Sequence, residues 1–420
     1  MKILVLNAGS SSHKSCLYEF DDTLPELPSL PLWEAKVDWT KHPGMAELEV
    51  KTRGSISGAF GKDTILEQEL QTDSRPDAIA HLLETLWSGE TKVIANPSEI
   101  NMVGHRVVHG GEKYRQATLV TSEVKDAIAT LSTFAPVHNP ANLEGIEAIE
   151  KILGNDTPQV AVFDTAFHAN LPLFAAIYPI PYELFEQGIR RYGFHGISHQ
   201  YCAHRTAQLM GKDLASLRLI ICHLGNGASL AAIRNGQSID TTMGFTPLEG
   251  LMMGSRSGSI DPGILIHLLQ QGNYNAQTLD QLLNKASGLK GISGVSGDLR
   301  QIMSEIDKGN QRAELAFDMY VHSLCKHIGA MLASLGGLDA LVFTGGVGEN
   351  SAAVRTDACK AFEFLGLKLD PQKNNTSPAD TDIATADSTT RIFLIHTQED
   401  WAIATECWHL TKANQQANSN

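Results

Sequence analysis

The chain has 420 residues, 42% hydrophobic and 19% charged, with a formal net charge of −14. That length predicts two or three domains with sizeable cores. The acidic balance argues against nucleic acid or a basic membrane-surface role, and no apolar run reaches the roughly 18 residues of a membrane span.

In chain order, apolar β-branched runs alternate with longer helical patterns, which predicts an α/β fold. Residues 3–6 read as a short buried strand that stops at Asn7-Ala8-Gly9. Residues 21–31, rich in Pro and acidic side chains, read as a surface loop. Helices are expected over 118–134 and 142–152, and a buried strand over 159–163 that ends at Asp164. Strands at 217–223 and 228–234 flank Gly225-Asn226-Gly227, a hairpin signal. A long helix is expected over 311–335, and a strand over 338–343 followed by a Gly-rich turn and a helix from Glu349. The last strand is placed at 391–395 and the last helix at 399–410, with a frayed polar tail from Asn414. The six cysteines form no CxxC pair, so a disulfide framework is not expected. The first residues lack a signal-peptide layout, and a reducing cytoplasm fits.

Two segments share a plan. ILVLNAGSSS (3–12), with Lys14 beyond it, and LIICHLGNGAS (219–229) are each a strand running into a small-residue turn. Such turns let backbone N–H groups and hydroxyls approach a phosphate closely. A third, TGGVGEN (344–350), lies between a strand and a helix, whose N-terminus suits an anion. It contains GxG but not GxGxxG, so a dinucleotide fingerprint is weak, and no GxxxxGK[ST] occurs to mark a P-loop. Arg106 and Arg256 sit among Gly and apolar residues, where a guanidinium needs an anionic partner. A buried ion pair and a bound ligand both meet that need. Arg190 and Arg191 read as solvated. His195 and His199 have helical metal-ligand spacing, but there is no HExxH, and Gly196 points to a loop entering a helix rather than to zinc. His138 reads as part of a rigid turn. Asp164, at a strand end, and Glu399 with Asp400 could hold Mg²⁺. Asp298 reads equally as a helix N-cap or a nucleotide contact.

Taken together these segments resemble the acetate kinase family, in the larger group of sugar kinases, heat-shock chaperone ATPases and actin. The resemblance rests on NAGSSSxK (7–14), GHRVVHGGE (104–112), PxHNP (136–140), FDTAFH (163–168), RYGFHGxSH (191–199), CHLGNGxS (222–229), MGFTPLEGLMMGSRSGSIDP (243–262) and FTGGVGENS (343–351). It implies two actin-like (ribonuclease H-like) domains with a cleft: residues 1–165 plus 401–420 on the substrate side, and 166–400 on the nucleotide side. It also implies a homodimer, reversible transfer of the γ-phosphoryl of ATP to acetate giving acetyl phosphate and ADP, and Mg²⁺ or Mn²⁺ as cofactor. By the same resemblance Asp164, His195 and Arg256 are catalytic, and Arg106 binds the substrate carboxylate. Val108, Val137, Phe194 and Pro247 form a small methyl pocket, and Asn7 and Glu399 hold the metal. Ser10, Ser12, Lys14, His223, Leu224, Gly225, Asn226, Gly227, Asp298, Leu299, Arg300, Gly346, Val347, Gly348, Glu349 and Asn350 contact the nucleotide.

There are departures. The family usually reads PTNEE where this chain has His396-Thr397-Gln398-Glu399-Asp400. His13 replaces an apolar residue, Val137 a common Leu, and Gly297 an Asn or Ser. A kinase for propionate or another short carboxylate remains an alternative, as does a non-catalytic ATP-binding switch. A sugar kinase would want several hydroxyl contacts and a carboxylate base.

Overall fold

In Lys2–Ala8 (β1) the alternation of a strand puts Leu4 and Leu6 on one face and Ile3 and Val5 on the other, all of them buried. A strand buried on both faces belongs inside a sheet with helices on each side. The computed structural model describes residues 1–8, 12–39, 44–53, 64–72, 74–136 and 138–419, with side chains to 416. Of the site candidates, Ser10 and Val137 lie outside the described residues.

The chain divides into two compact units, Met1–Ala166 with Gln398–Asn420, and Phe167–Thr397. In the first, β1 pairs antiparallel with Ser12–Glu19 (β2), and the meander continues through Trp33–Asp38 (β3), Ala46–Thr52 (β4) and Thr64–Leu70 (β5). On its other side β1 runs parallel to Met102–Val107 (β6), which runs parallel to Gln159–Phe163 (β8); Thr118–Leu119 (β7) closes the edge. Leu4, Leu6, Leu17 and Trp33 pack with Ile79, Leu82 and Ile149 of helices Arg75–Glu84 and Asn139–Leu153. The opposite face takes helix Glu399–Ser419, where Trp401 meets Tyr18 edge-on and Phe20 at 5.0 Å. Gly104 makes that seat possible. A Cβ there would come within 2.7 Å of Cys407 Sγ and 2.8 Å of Ile403 Cγ2.

The second unit repeats the plan. Arg218–Leu224 (β9) and Ala228–Arg234 (β10) form the expected hairpin, continued by Gln237–Thr241 (β11). β9 runs parallel to Ala340–Thr344 (β12), which runs parallel to Arg391–Leu394 (β14); Thr381–Asp382 (β13) is the edge. The orders β3-β2-β1-β6-β8 and β11-β10-β9-β12-β14 are therefore the same topology. Helix Gly196–Met210 covers one face through Cys202, Ala203 and Ala207. Gln311–Leu335 packs on β9, β10 and β11.

Several expected boundaries shift. Residues 118–134 divide into β7, a helix Ser122–Thr130 capped by Thr121, and a 3₁₀ turn Leu131–Thr133. The helix expected from 142 begins at Asn139, because Pro140 suits a first turn. The Gly-rich turn is itself helical, Gly345–Asn350, and precedes a second helix, Ala352–Lys360. The last helix runs to Ser419 rather than ending at 410 before a frayed tail. Its Ala, Gln and Lys composition sustains helix despite its polarity. No helix among the described residues is long and apolar enough to cross a membrane. All six cysteines are free.

The first unit buries three histidines. Burial lowers the pKa of His105 and His109 to about 4 and of His13, with its neighbours His105 and Arg75, to about 3. Between these values and the unfolded value near 6.5, the unfolded chain takes up protons that the fold refuses. Their contribution is complete above about pH 6.5 and is lost as pH falls toward 4, by up to about 1.4 kcal/mol per group per pH unit. Urea unfolding at pH 7.5 and 5 should show this loss, and His105→Gln should reduce it; equal losses in both proteins would contradict the assignment.

Candidate active site

In the first unit, parallel pairing of β6 and β8 sets Arg106 opposite Val162, just before Asp164. The Asp164 N–H donates to Val107 O at 2.9 Å, so the strand pair fixes the carboxylate's backbone. Arg106 Nε donates to Asp164 Oδ2 at 3.1 Å, and Nη2 donates to the same oxygen. Arg106 Nη1 reaches Asn7 Oδ1 at 3.4 Å. Burial works against the guanidinium's charge, but Asp164, Glu399 and Asp400 more than offset it and hold its pKa above the ordinary value. Asp164 is fully buried and its Oδ1 has no hydrogen-bond partner among the described residues. The ion-pair reading of Arg106 is thus realised with one carboxylate oxygen left over.

Glu399 and Asp400 open the last helix of this unit. Desolvation raises the Glu399 carboxyl to about pKa 7; Arg106 opposes this, and Asp164 and Asp400 add to it. Asp400 accepts from Asn7 Nδ2 at 3.1 Å and pairs with Lys14 at 2.9 Å. Lys14 also pairs with Glu34 at 3.1 Å. Burial opposes its charge, and these acids raise its pKa. Ser12 starts β2, in the same unit as Lys14. Val108 is buried, its N–H held by Asn142 Oδ1 at 3.1 Å.

In the second unit, His195 is the N-cap of helix Gly196–Met210 and adopts the left-handed conformation (φ 57°), uncommon for a residue other than glycine. The loop-to-helix reading of His195 and His199 is correct. Among the described residues no three His, Cys, Asp or Glu side chains gather as a metal cage. His195 stacks on His223 at 4.2 Å, at the end of β9. At the β9–β10 turn, the point where a Cβ on Gly227 would lie is 3.4 Å from Arg256 Nη1 and 3.6 Å from His195 Nε2. Glycine therefore leaves open a small space on which the Arg256 guanidinium and the His195 ring converge. Arg256 Nη1 donates to the Pro247 carbonyl at 3.0 Å. Phe194 is buried and Pro247 partly so. The Gly254 N–H donates to Asn226 O at 3.1 Å, fastening the Arg256 turn to the β9–β10 turn that contains Leu224, Gly225 and Gly227.

The remaining nucleotide candidates are in this unit too. Asp298 caps helix Leu299–Asp307, accepting from the Arg300 N–H at 2.9 Å, and pairs with the exposed Arg300 guanidinium. In the Gly345–Asn350 turn Gly346 and Asn350 are exposed, Val347 is half-buried and Gly348 buried. Glu349 turns back on its own loop, accepting from the Gly345 N–H at 2.9 Å and the Thr397 N–H at 3.2 Å, with His396 at 2.5 Å. Burial disfavours its charge, but His396 and these N–H groups keep its pKa below the ordinary value.

Arg190 and Arg191 are not solvated. Arg190 is buried, and Arg191 binds Glu249 at 2.7 Å and two carbonyls of the 242–243 segment. Sequence reasoning also passed over the supports. Asn139 and Asn142, one helical turn apart, hold the backbone of His109 and Val108, and Asn142 reaches back to Ala8 O. The HNP motif drew attention to His138, whereas the pattern of amides at i and i+3 on a helix start is the signal that could have found them. Arg355 is wholly buried with five donor bonds, all to neutral acceptors, including the carbonyls of Gly348 and Glu349. Nothing in AAVRTDACK distinguishes it from a solvated helix arginine.

Comparison with known proteins gives these features a family. The model described as "Acetokinase family" matches residues 2–405. The chain is 65% identical over 413 residues to an acetate kinase of Nostoc sp., covering 98% of this chain and all of that one. Among solved structures, the acetate kinase of Porphyromonas gingivalis superposes with a TM-score of 0.85 at 40% identity, covering 96% of this chain and 98% of that one. A propionate kinase from Francisella tularensis superposes with a TM-score of 0.86 at 36% identity and the same coverage. The chain belongs to the acetokinase family.

A Cβ on Gly254 would stand 2.3 Å from Asn226 Oδ1 and 2.8 Å from Gly297 O. Gly254→Ala should therefore displace the β9–β10 turn and weaken ATP binding about tenfold, which is roughly 1.4 kcal/mol by titration calorimetry. Unchanged affinity would separate this turn from the nucleotide.

Proposed function

We propose that this chain is a carboxylate kinase that reversibly transfers the γ-phosphoryl of ATP to acetate, giving acetyl phosphate and ADP. The observation that carries the site assignment is the convergence of Arg256 Nη1 and His195 Nε2 on the space left by Gly227. The first unit supplies Arg106 for the carboxylate, together with Val108, Lys14 and Ser12. The second supplies the nucleotide turns, the two donors, Phe194 and Pro247. The shared strand order supports reading each unit as an actin-like, ribonuclease H-like core.

A short carboxylic acid has a pKa of roughly 4 to 5 and is ionised at neutral pH, so no base is needed to make the nucleophile. The barrier is the approach of one anion to another. Arg106 binds and orients the carboxylate, with Asp164 holding the guanidinium in place. Arg256 and His195 meet charge on the transferring group, and direct in-line transfer needs little else from the protein.

The acidic cluster of the first unit fits a divalent cation. A buried Asp164 oxygen lacks a partner, and Glu399 is crowded by acids that a cation would relieve. Mg²⁺, or Mn²⁺, would be held by Asn7 and Glu399; hard cations of this kind take few protein ligands and complete their shell with phosphate and water. When bound, it neutralises phosphate charge.

The propionate kinase match keeps a longer substrate as the second reading, since one methylene discriminates only about 10- to 200-fold. Turnover with MgATP should rank acetate above propionate and butyrate, and Arg256→Ala should lower kcat at least about 10²-fold. Propionate ranking first would transfer the assignment to that acid. A chiral γ-phosphate should emerge inverted; retention would replace direct transfer with a phospho-enzyme route.

We infer a homodimer from helix Pro262–Gln270. It buries no side chain, leaving Ile266 57% and Ile264 47% exposed. An apolar helix face of this kind calls for a partner surface, and a second copy is the one we infer. Ile266→Glu should shift sedimentation from dimer to monomer; an unshifted dimer would place the interface elsewhere.

A further inference from the structure

Ser229, on β10, sits with its Oγ 2.9 Å from His195 Nδ1 and 2.8 Å from His199 Nε2. Ser229 is fully buried and these two rings are the only partners of its hydroxyl among the described residues, so its single proton is satisfied only by donation to one ring, and it accepts from the other. His199 decides the direction. Its ring is fully buried, and its Nδ1 has no hydrogen-bond partner among the described residues. Burial, with His168 and His223 adding to it, pushes its pKa well below 6.5, so the ring is neutral and carries a single N–H. A proton on Nδ1 would be an orphaned buried donor. A proton on Nε2 is satisfied by Ser229 and leaves only an unused lone pair, the less costly deficit. His199 therefore donates from Nε2 to Ser229 Oγ, and Ser229 donates its own proton to His195 Nδ1.

We propose that Ser229 and His199 are positioning residues that lock His195 in one tautomer, proton on Nε2, with that N–H facing the Gly227 turn. The inference rests on the reading of that turn as the phosphoryl site. It also assigns the charge. A second proton on His195 Nδ1 would leave a buried donor without a partner either way: the Ser229 proton if Ser229 accepts from both rings, or a His199 proton forced onto Nδ1 if Ser229 donates to His199 Nε2 instead. His195 accordingly works as a neutral donor, and the full positive charge at the turn belongs to Arg256. The left-handed backbone at His195 serves the same end, since it brings residues 195 and 199 onto one hydroxyl from the first turn of a single helix.

Two-bond ¹H–¹⁵N spectra of the full chain, ¹⁵N-labelled at histidine and assigned with His195→Gln, test this at pH 7.5. The expected result is a protonated Nε2 and a pyridine-like Nδ1 for His195. In Ser229→Ala the two tautomers should mix and kcat should fall about tenfold with the acetate KM unchanged, and Ser229→Thr, which keeps the hydroxyl, should restore both. An imidazolium or an Nδ1–H tautomer at His195 in the unaltered protein, or an unmixed tautomer in Ser229→Ala, would overturn the proposal. Mixing without loss of kcat would uphold the lock and instead remove His195 from the phosphoryl site.

Discussion

A guanidinium cannot be taken out of water without an answer to its charge, and the first unit is arranged around that requirement at Arg106. The answer is Asp164, and parallel pairing of β6 with β8 delivers it, because it brings the C-terminal ends of the two neighbouring strands together. Removing one member of such a pair strands the other, at roughly 3 to 5 kcal/mol. The pair is nevertheless incomplete. Two nitrogens of Arg106 share one oxygen of Asp164, and the other oxygen is buried without a partner. A purely structural ion pair would be expected to use both oxygens bidentately. Leaving one unused is costly in the folded protein and useful once a ligand or cation arrives.

The second unit treats its cations differently. Arg256 and Arg355 donate to carbonyls where Arg106 donates to a carboxylate. Carbonyls satisfy N–H groups without cancelling charge, and all five bonds of Arg355 go to neutral acceptors. At Arg355 the arrangement has a mechanical side. Its donors grip the carbonyls of Gly348 and Glu349, and Glu349 in turn grips the Gly345 N–H. A loop of small residues is thereby held from both ends, an order that glycine alone does not provide.

What the sequence reveals and what it hides divide along the same line. Strands over 159–163 and 228–234, the hairpin around Gly225-Asn226-Gly227 and the helix over 311–335 were legible because apolar periodicity and turn chemistry are local. Arg106 and Arg256 stand out in the sequence because a cation among glycines is locally anomalous. The supports were not. Asn139, Asn142, Ser229 and Arg355 are ordinary residues in their own segments, and only the tertiary arrangement gives each of them a backbone or a ring to hold. Arg190 and Arg191 failed for the same reason, since the acid and carbonyls that draw Arg191 inward lie some fifty residues away in sequence. The Gly345–Asn350 turn was misjudged because glycine's low helix propensity hides a helical turn fixed by Arg355 and Glu349.

The altered HTQED segment can be argued on the same footing. Asp400 stands where the family usually has a second glutamate, and the shorter side chain is fully engaged: it meets Asn7, Lys14 and the Cys16 thiol. These partners lie on β1 and β2, directly beneath the start of the last helix, where Trp401 has already anchored the chain to Tyr18 and Phe20. With the backbone held that close to the sheet, an aspartate reaches all three groups, and a longer acid would have to fold back on itself. Its acidity therefore goes into ordering Asn7 and Lys14. Glu399 is left as the carboxylate with the least local compensation, and its raised pKa marks it as the group with most to gain from a cation.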